Sequence, residues 1–107
     1  AKMIGDIRAD LKSPQLPFVV GQIGEFTYDR EGNPMPFARE VNAALLNIPN
    51  QVQFTGCAVS HGLGHKGDHL HFSSEAQREF GKRYATEMLK IESRQKRANS
   101  DRKLLDK

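Results

Sequence analysis

The chain lacks tryptophan and carries one cysteine, Cys57, among its 107 residues. A single cysteine excludes an internal disulfide, so no cystine framework holds this fold. Cys57 lies within an apolar stretch, residues 54–59, and reads as a buried, inert thiol rather than a nucleophile. Aromatic residues make up only 7% of the chain, and none interleaves with the basic residues that follow Ile91. That absence argues against single-stranded nucleic acid, which binds through alternating rings and cations. No apolar run approaches the roughly 20 residues that cross a bilayer, and no secretory leader is visible. Neither nucleic acid nor membrane is therefore expected as a partner, and the compartment stays open.

What is present is an ordinary globular composition, with 27% charged residues and a formal net charge of +3. The positive balance is concentrated after Ile91, where Arg94, Lys96, Arg97, Arg102, Lys103 and Lys107 outnumber Glu92, Asp101 and Asp106. Cations are favoured near the carbonyl end of a helix, so residues 93–107 read as a solvated, basic helical extension or tail. Residues 1–92 form the domain proper.

Apolar spacing places a helix over residues 2–12, carried by Ile4, Ile7 and Leu11 and ended by Pro14 and Pro17. Residues 17–24, PFVVGQIG, read as a short buried strand. A polar loop, DREGNP (29–34), follows. A second helix is expected from Pro36, with Phe37, Val41, Ala44, Leu45 and Ile48 on its apolar face, Arg39, Glu40 and Asn42 off it, and Pro49 as its stop. Residues 52–59 read as a second strand. After a loop rich in glycine and histidine, Ser74 and Gln77 suggest a capping box. It opens a helix whose buried stripe is Ala76, Phe80, Tyr84, Met88 and Ile91, with Gly81 beside it as a point of close approach. The seven-residue recurrence of Tyr84, Ile91, Ala98 and Leu105 lets this helix run on toward the end.

Helix–strand–helix–strand–loop–helix is part of a layered α/β fold with a right-handed crossover between parallel strands. Two strands this apolar expect neighbours and cover on both sides. The chain is thus read as the C-terminal portion of a larger sheet. Its remaining strands would come from another chain, a swapped copy or polypeptide lost in processing.

Chemistry concentrates in GDHLHFSS (67–74), which sets Asp68 three residues before His71. A carboxylate can accept from one imidazole nitrogen, fix the tautomer and leave the other nitrogen free to take a proton. Other constellations are weaker. Ser60 beside His61 is no dyad, since neighbours on an extended strand face opposite ways, and a capping or turn role suits Ser60 better. His61, His65, Asp68, His69 and His71 are suitable zinc ligands by type, but their spacing fits no metal motif. Glu25 and Glu40 as paired glycosidase carboxylates have no support in sequence, and Glu40 reads as a solvated charge. Phe26 and Tyr28 are candidate stacking surfaces for a sugar.

The runs LPFVVGQIGEF (16–26), VQFTGCAVSHGL (52–63) and GDHLHFSSEAQREFGKRYATEML (67–89) resemble the C-terminal half of the SGNH/GDSL-type carbohydrate acetylesterases, the sialate O-acetylesterase and acetylxylan esterase group. The resemblance spans most of residues 1–92 and is most specific in the Asp-x-x-His-Phe-Ser loop and the following Gly-x-Arg-Tyr-Ala (81–85). It implies an α/β/α three-layer fold with a parallel sheet, of which this chain holds two strands and about three helices. It also implies a Ser-His-Asp triad, with His71 as general base and Asp68 orienting it, and an acetylated carbohydrate as substrate with no cofactor. The family's nucleophile block and its oxyanion-hole blocks have no counterpart here: GQIG (21–24) has Ile23 where the serine would stand. The expected function is therefore a carbohydrate O-acetylesterase completed by a missing N-terminal part. The rival expectation is a non-catalytic carbohydrate-binding or assembly module on the same scaffold.

Overall fold

The computed structural model describes residues 1–32 and 34–106. Its architecture follows from two short strands that are too narrow to bury much, flanked by helices that supply most of the bulk. Helix α1 spans Lys2–Asp10, strand β1 Phe18–Gly21, helix α2 Ala38–Gln51, strand β2 Thr55–Ala58 and helix α3 Ser74–Leu105. A single 3-10 turn, Glu25–Thr27, follows β1. The strands are parallel and in register from Phe18 opposite Thr55 to Gly21 opposite Ala58. This is the α/β arrangement expected, reduced to one strand pair.

The loop ends of α1 are tied down by a cation. Arg8 is buried and donates to the carbonyls of Leu16, Gln53 and Phe54 at 2.9, 3.0 and 3.2 Å. It thereby gathers the entries to both strands onto one guanidinium. The α1 stripe is Ile4 and Arg8 rather than Ile4, Ile7 and Leu11, and Leu11 is exposed. An aliphatic stripe predicted from hydropathy gives way because five guanidinium donors can satisfy several inward-pointing carbonyls at once.

Helix α2 departs further from expectation. Ala38 and Asn42 are its buried residues, whereas Phe37 is 71% exposed and Val41 and Leu46 also face out. The helix is turned because Asn42 satisfies the backbone beyond β1. Its Oδ1 accepts from Ile23 N–H at 2.7 Å, and its Nδ2 donates to Ile23 C=O and Tyr28 Oη, both at 2.8 Å. Leaving those buried groups unpaired would cost more than exposing a few methyl groups. Pro49 lies inside the helix rather than ending it; near a carboxyl end only one helical bond is lost to the missing N–H.

The N-cap of helix α3 lies one residue before the predicted one. Ser73 is the N-cap, its hydroxyl accepting from Ala76 N–H at 3.1 Å, and Gln77 donates instead to Phe72 C=O at 3.4 Å. Ala76 and Ile91 are fully sequestered, Phe80 and Met88 are half-buried, and Tyr84 is at the margin. The helix continues to Leu105, and its 32 residues, about 48 Å at 1.5 Å per residue, make up most of the long axis of 62 Å. Close approach occurs on the strands and not at Gly81, which has open space around it. A Cβ on Gly21 would lie 1.8 Å from Tyr84 Oη, and one on Gly56 would lie 3.0 Å from Glu87 Oε2.

Among the described residues the sheet is two strands wide, so both its edges are open. Phe18 N–H and Gln22 N–H bond to Phe54 and Ala58 across the pair, so the alternation of a parallel ladder turns Val19 and Gly21 outward. No backbone partner meets them among the described residues. The fully buried apolar set is small, comprising Ile4, Ala38, Cys57, Ala58, Ala76 and Ile91. Burial raises the pKa of the Cys57 thiol, with the Glu87 charge adding to it, which keeps this sulfur protonated and inert.

Candidate active site

Both strands deliver their carboxyl ends to one side of the molecule, the side where open α/β sheets carry their sites. Ser60 welds these ends together: it is fully buried, its hydroxyl donates to Ile23 C=O at 2.7 Å, and its N–H donates to Gln22 Oε1 at 3.0 Å. A hydroxyl committed in this way is structural, in line with the turn role read from sequence. Arg83 on α3 adds a second clasp, donating to the Val59 and His61 carbonyls at 2.9 and 2.8 Å.

From this base the chain runs out and back as a miniature hairpin. His65 pairs antiparallel with Phe72, Lys66 N–H bonds to His71 C=O at 3.0 Å, and Ser73 N–H bonds to Gly64 C=O at 3.1 Å. The tip, residues 67–70, turns through Gly67 at φ 118° and His69 at φ 53°. Its paired stem is braced by rings. Phe26 stands 5.3 Å from both His65 and Phe72, Phe72 is 5.0 Å from Phe80, and Phe80 is 5.0 Å from Tyr84. Four of the few aromatic residues thus form a ladder from the turn after β1, through the loop, to α3. Phe26 is therefore engaged within the protein and is not a free sugar platform. Tyr28 is engaged too, since it accepts from Asn42 and has the Arg39 guanidinium 4.3 Å from its ring centroid.

At the tip Asp68 and His71 meet. Asp68 Oδ1 accepts from the N–H groups of Leu70 and His71 at 3.0 and 2.9 Å, and its Oδ2 lies 2.6 Å from His71 Nδ1. A carboxylate only accepts, so Nδ1 carries the proton and the lone pair resides on Nε2. Nε2 has no hydrogen-bond partner among the described residues, and the His71 side chain is 60% exposed. The Asp68 carboxyl is held far below the usual carboxylate range, first by the His71 backbone N–H and then by the His71 side chain; desolvation opposes them, and the Leu70 N–H contributes less. It therefore remains a charged acceptor whenever the ring needs orienting.

The other sequence candidates are placed apart. His61 Nδ1 lies 2.9 Å from Glu25 Oε1, a second histidine–carboxylate pair that sequence reasoning did not anticipate. Its partners are 36 residues apart, which no local motif reveals. Glu25 thus pairs with a histidine rather than with the exposed Glu40. Among the described residues no three histidine, cysteine or acidic side chains converge on a point that would hold a metal ion. His65 and His69 stack with centroids 3.9 Å apart, a contact that residue type alone does not suggest.

An exposed imidazole, oriented by a charged carboxylate and with its outer nitrogen free, is equipped to accept a proton from a hydroxyl presented to it. No serine hydroxyl among the described residues is bonded to it. A family model described as carbohydrate esterase, sialic acid-specific acetylesterase, matches residues 1–90. No curated protein matches the chain significantly.

Proposed function

Because the chain belongs to the sialic acid-specific acetylesterase family of carbohydrate esterases, we propose that His71 and Asp68 are the base and orienting carboxylate of a serine-hydrolase triad that removes acetyl groups from sugar hydroxyls. The observation that carries this reading is the 2.6 Å contact from His71 Nδ1 to Asp68 Oδ2, which leaves Nε2 without a partner among the described residues.

In the reaction, a serine hydroxyl attacks the acetyl carbonyl and its proton passes to His71 Nε2. The tetrahedral oxyanion collapses, the ester C–O bond breaks, and His71 returns that proton to the departing sugar oxygen. Water then repeats the sequence on the acetyl-serine, releasing acetate. Asp68 keeps the ring in the Nδ1–H tautomer and balances the imidazolium at each step.

The serine and the oxyanion donors are contributed, in this reading, by polypeptide that completes a three-layer SGNH sheet on the outer edge of β1. The outward Val19 and Gly21 groups and the uncovered Phe37 and Val41 support such a neighbour. The carbohydrate-binding alternative has less support, because Phe26 and Tyr28 are engaged within the protein.

The test joins or co-expresses this chain with a segment carrying a Gly-x-Ser nucleophile block and measures acetate release from O-acetylated sugars. The assembly is expected to hydrolyse them, and its His71→Ala form to lose at least about 10³-fold in kcat. Full activity in that variant would overturn the assignment.

A further inference from the structure

Two histidines six residues apart in the same loop use the same ring nitrogen in opposite ways. His71 Nδ1 carries a proton and donates to Asp68. His65 Nδ1 accepts, taking the N–H of Gly67 at 3.0 Å and of His69 at 3.2 Å. An acceptor nitrogen has no proton, so the His65 proton sits on Nε2. The two donors flank Asp68, and one belongs to His69, whose φ of 53° is costly for a residue with a Cβ. Such a conformation persists only where the surroundings over-determine it. Here the His65 lone pair holds the His69 amide, and the His69 ring lies 3.9 Å from the His65 ring. His65 is itself fixed from behind by Phe26 at 5.3 Å and by its pairing with Phe72.

We propose that His65 is a positioning residue for the Asp68–His71 pair. Its Nδ1 lone pair substitutes for a backbone carbonyl inside the turn, and by gathering the amides on either side of Asp68 it aims that carboxylate at His71. The inference rests on the triad reading for its consequence in catalysis, but the structural claim stands or falls by itself. Sequence position disguises the role, because a histidine beside Asp68 and His71 resembles a spare ligand or base. What the site uses is an acceptor held at a set height over the turn. Asparagine supplies a similar acceptor through Oδ1, whereas leucine matches the bulk against Phe26 and supplies none.

The experiment is NMR on the full chain and on His65→Asn, His65→Leu and His65→Ala. Nitrogen–proton correlations across the imidazoles are expected to show His65 as the Nε2–H tautomer and His71 as the Nδ1–H tautomer bonded to Asp68. His65→Asn retains slow amide exchange at Gly67 and His69 and the His71 tautomer. His65→Leu speeds exchange at both amides by about tenfold or more and frees the His71 ring to sample both tautomers. If His65→Ala does not fold, the asparagine and leucine variants decide between them. The proposal is overturned if leucine preserves the amides and the tautomer as well as asparagine does, or if His65 carries its proton on Nδ1. In an active assembly, His65→Leu lowers kcat with KM little changed and His65→Asn restores it. Loss of activity on His71→Ala with no effect of His65→Leu would reject the positioning role while leaving the esterase reading intact.

Discussion

The loop at residues 64–73 and the outer edge of β1 lie in one small molecule and are opposite in kind. In the loop every short polar contact closes on another: Asp68 accepts three donors, His65 accepts two, and Ser73 caps the next helix. At the edge of β1 the outward groups of Val19 and Gly21 meet no partner among the described residues, and apolar side chains on α2 face solvent. The difference teaches where this chain is self-sufficient. A short polar loop can be satisfied by residues local in sequence, whereas a sheet edge can only be satisfied by another strand.

The largest expected effect sharpens the loop side. In an active assembly, Asp68→Asn should reduce kcat by about 10³–10⁴-fold, because an amide can hold the ring in the wrong tautomer and carries no charge to balance imidazolium. Steady-state kinetics on an acetyl ester checks this, and a loss below tenfold would remove Asp68 from the mechanism. Next comes the anchor of α2 on the chain that leaves β1. Asn42→Ala leaves Ile23 N–H without a partner and Ile23 C=O with the Ser60 hydroxyl alone, and should destabilise the chain by about 1–3 kcal/mol in denaturant unfolding. Gly21→Ala forces Tyr84 aside, with an expected cost of about 1–2 kcal/mol, since the ring tip can swing outward.

Smaller effects test the edge and the acid response. Val19→Pro removes only an outward N–H, so the chain's own stability should change by less than about 1 kcal/mol. Binding to the segment that completes the sheet should weaken, and a pull-down or titration unaffected by the substitution would argue against pairing at this edge. On acidification, the folded Asp68 carboxyl lies below its unfolded value. Its stabilisation is therefore fully present above the ordinary carboxylate range, near about 3.9. It is lost progressively as pH falls from there through the lower folded value. Amide exchange at Leu70 and His71 should stay slow from neutral pH down to about 4 and quicken only in stronger acid. Loss of protection at pH 5 would show that the carboxylate is not held as described.

Legibility from sequence followed the distance over which each feature is decided. Asp68 and His71 were readable because their geometry is set within four residues, and β1, β2 and the course of α3 because hydropathy runs are local. The buried face of α2 was misread, because Asn42 turns inward to serve Ile23, a backbone group 19 residues away. Glu25 with His61 and Phe26 with His65 and Phe72 went unseen for the same reason. The Ser73 cap was misplaced by one position, since Ser74 with Gln77 three residues on fits the capping-box pattern, whereas the folded chain caps with the serine before it.

By itself, then, the order of residues determined the alternation of helix and strand, the inert thiol and a histidine placed to meet a carboxylate. Tertiary structure alone decided which faces of α1 and α2 turn inward, which nitrogen of each histidine carries its proton, and that both edges of the sheet stay open. Those outcomes depend on which distant carbonyl, amide or ring arrives within hydrogen-bonding reach, and no local pattern encodes that arrival.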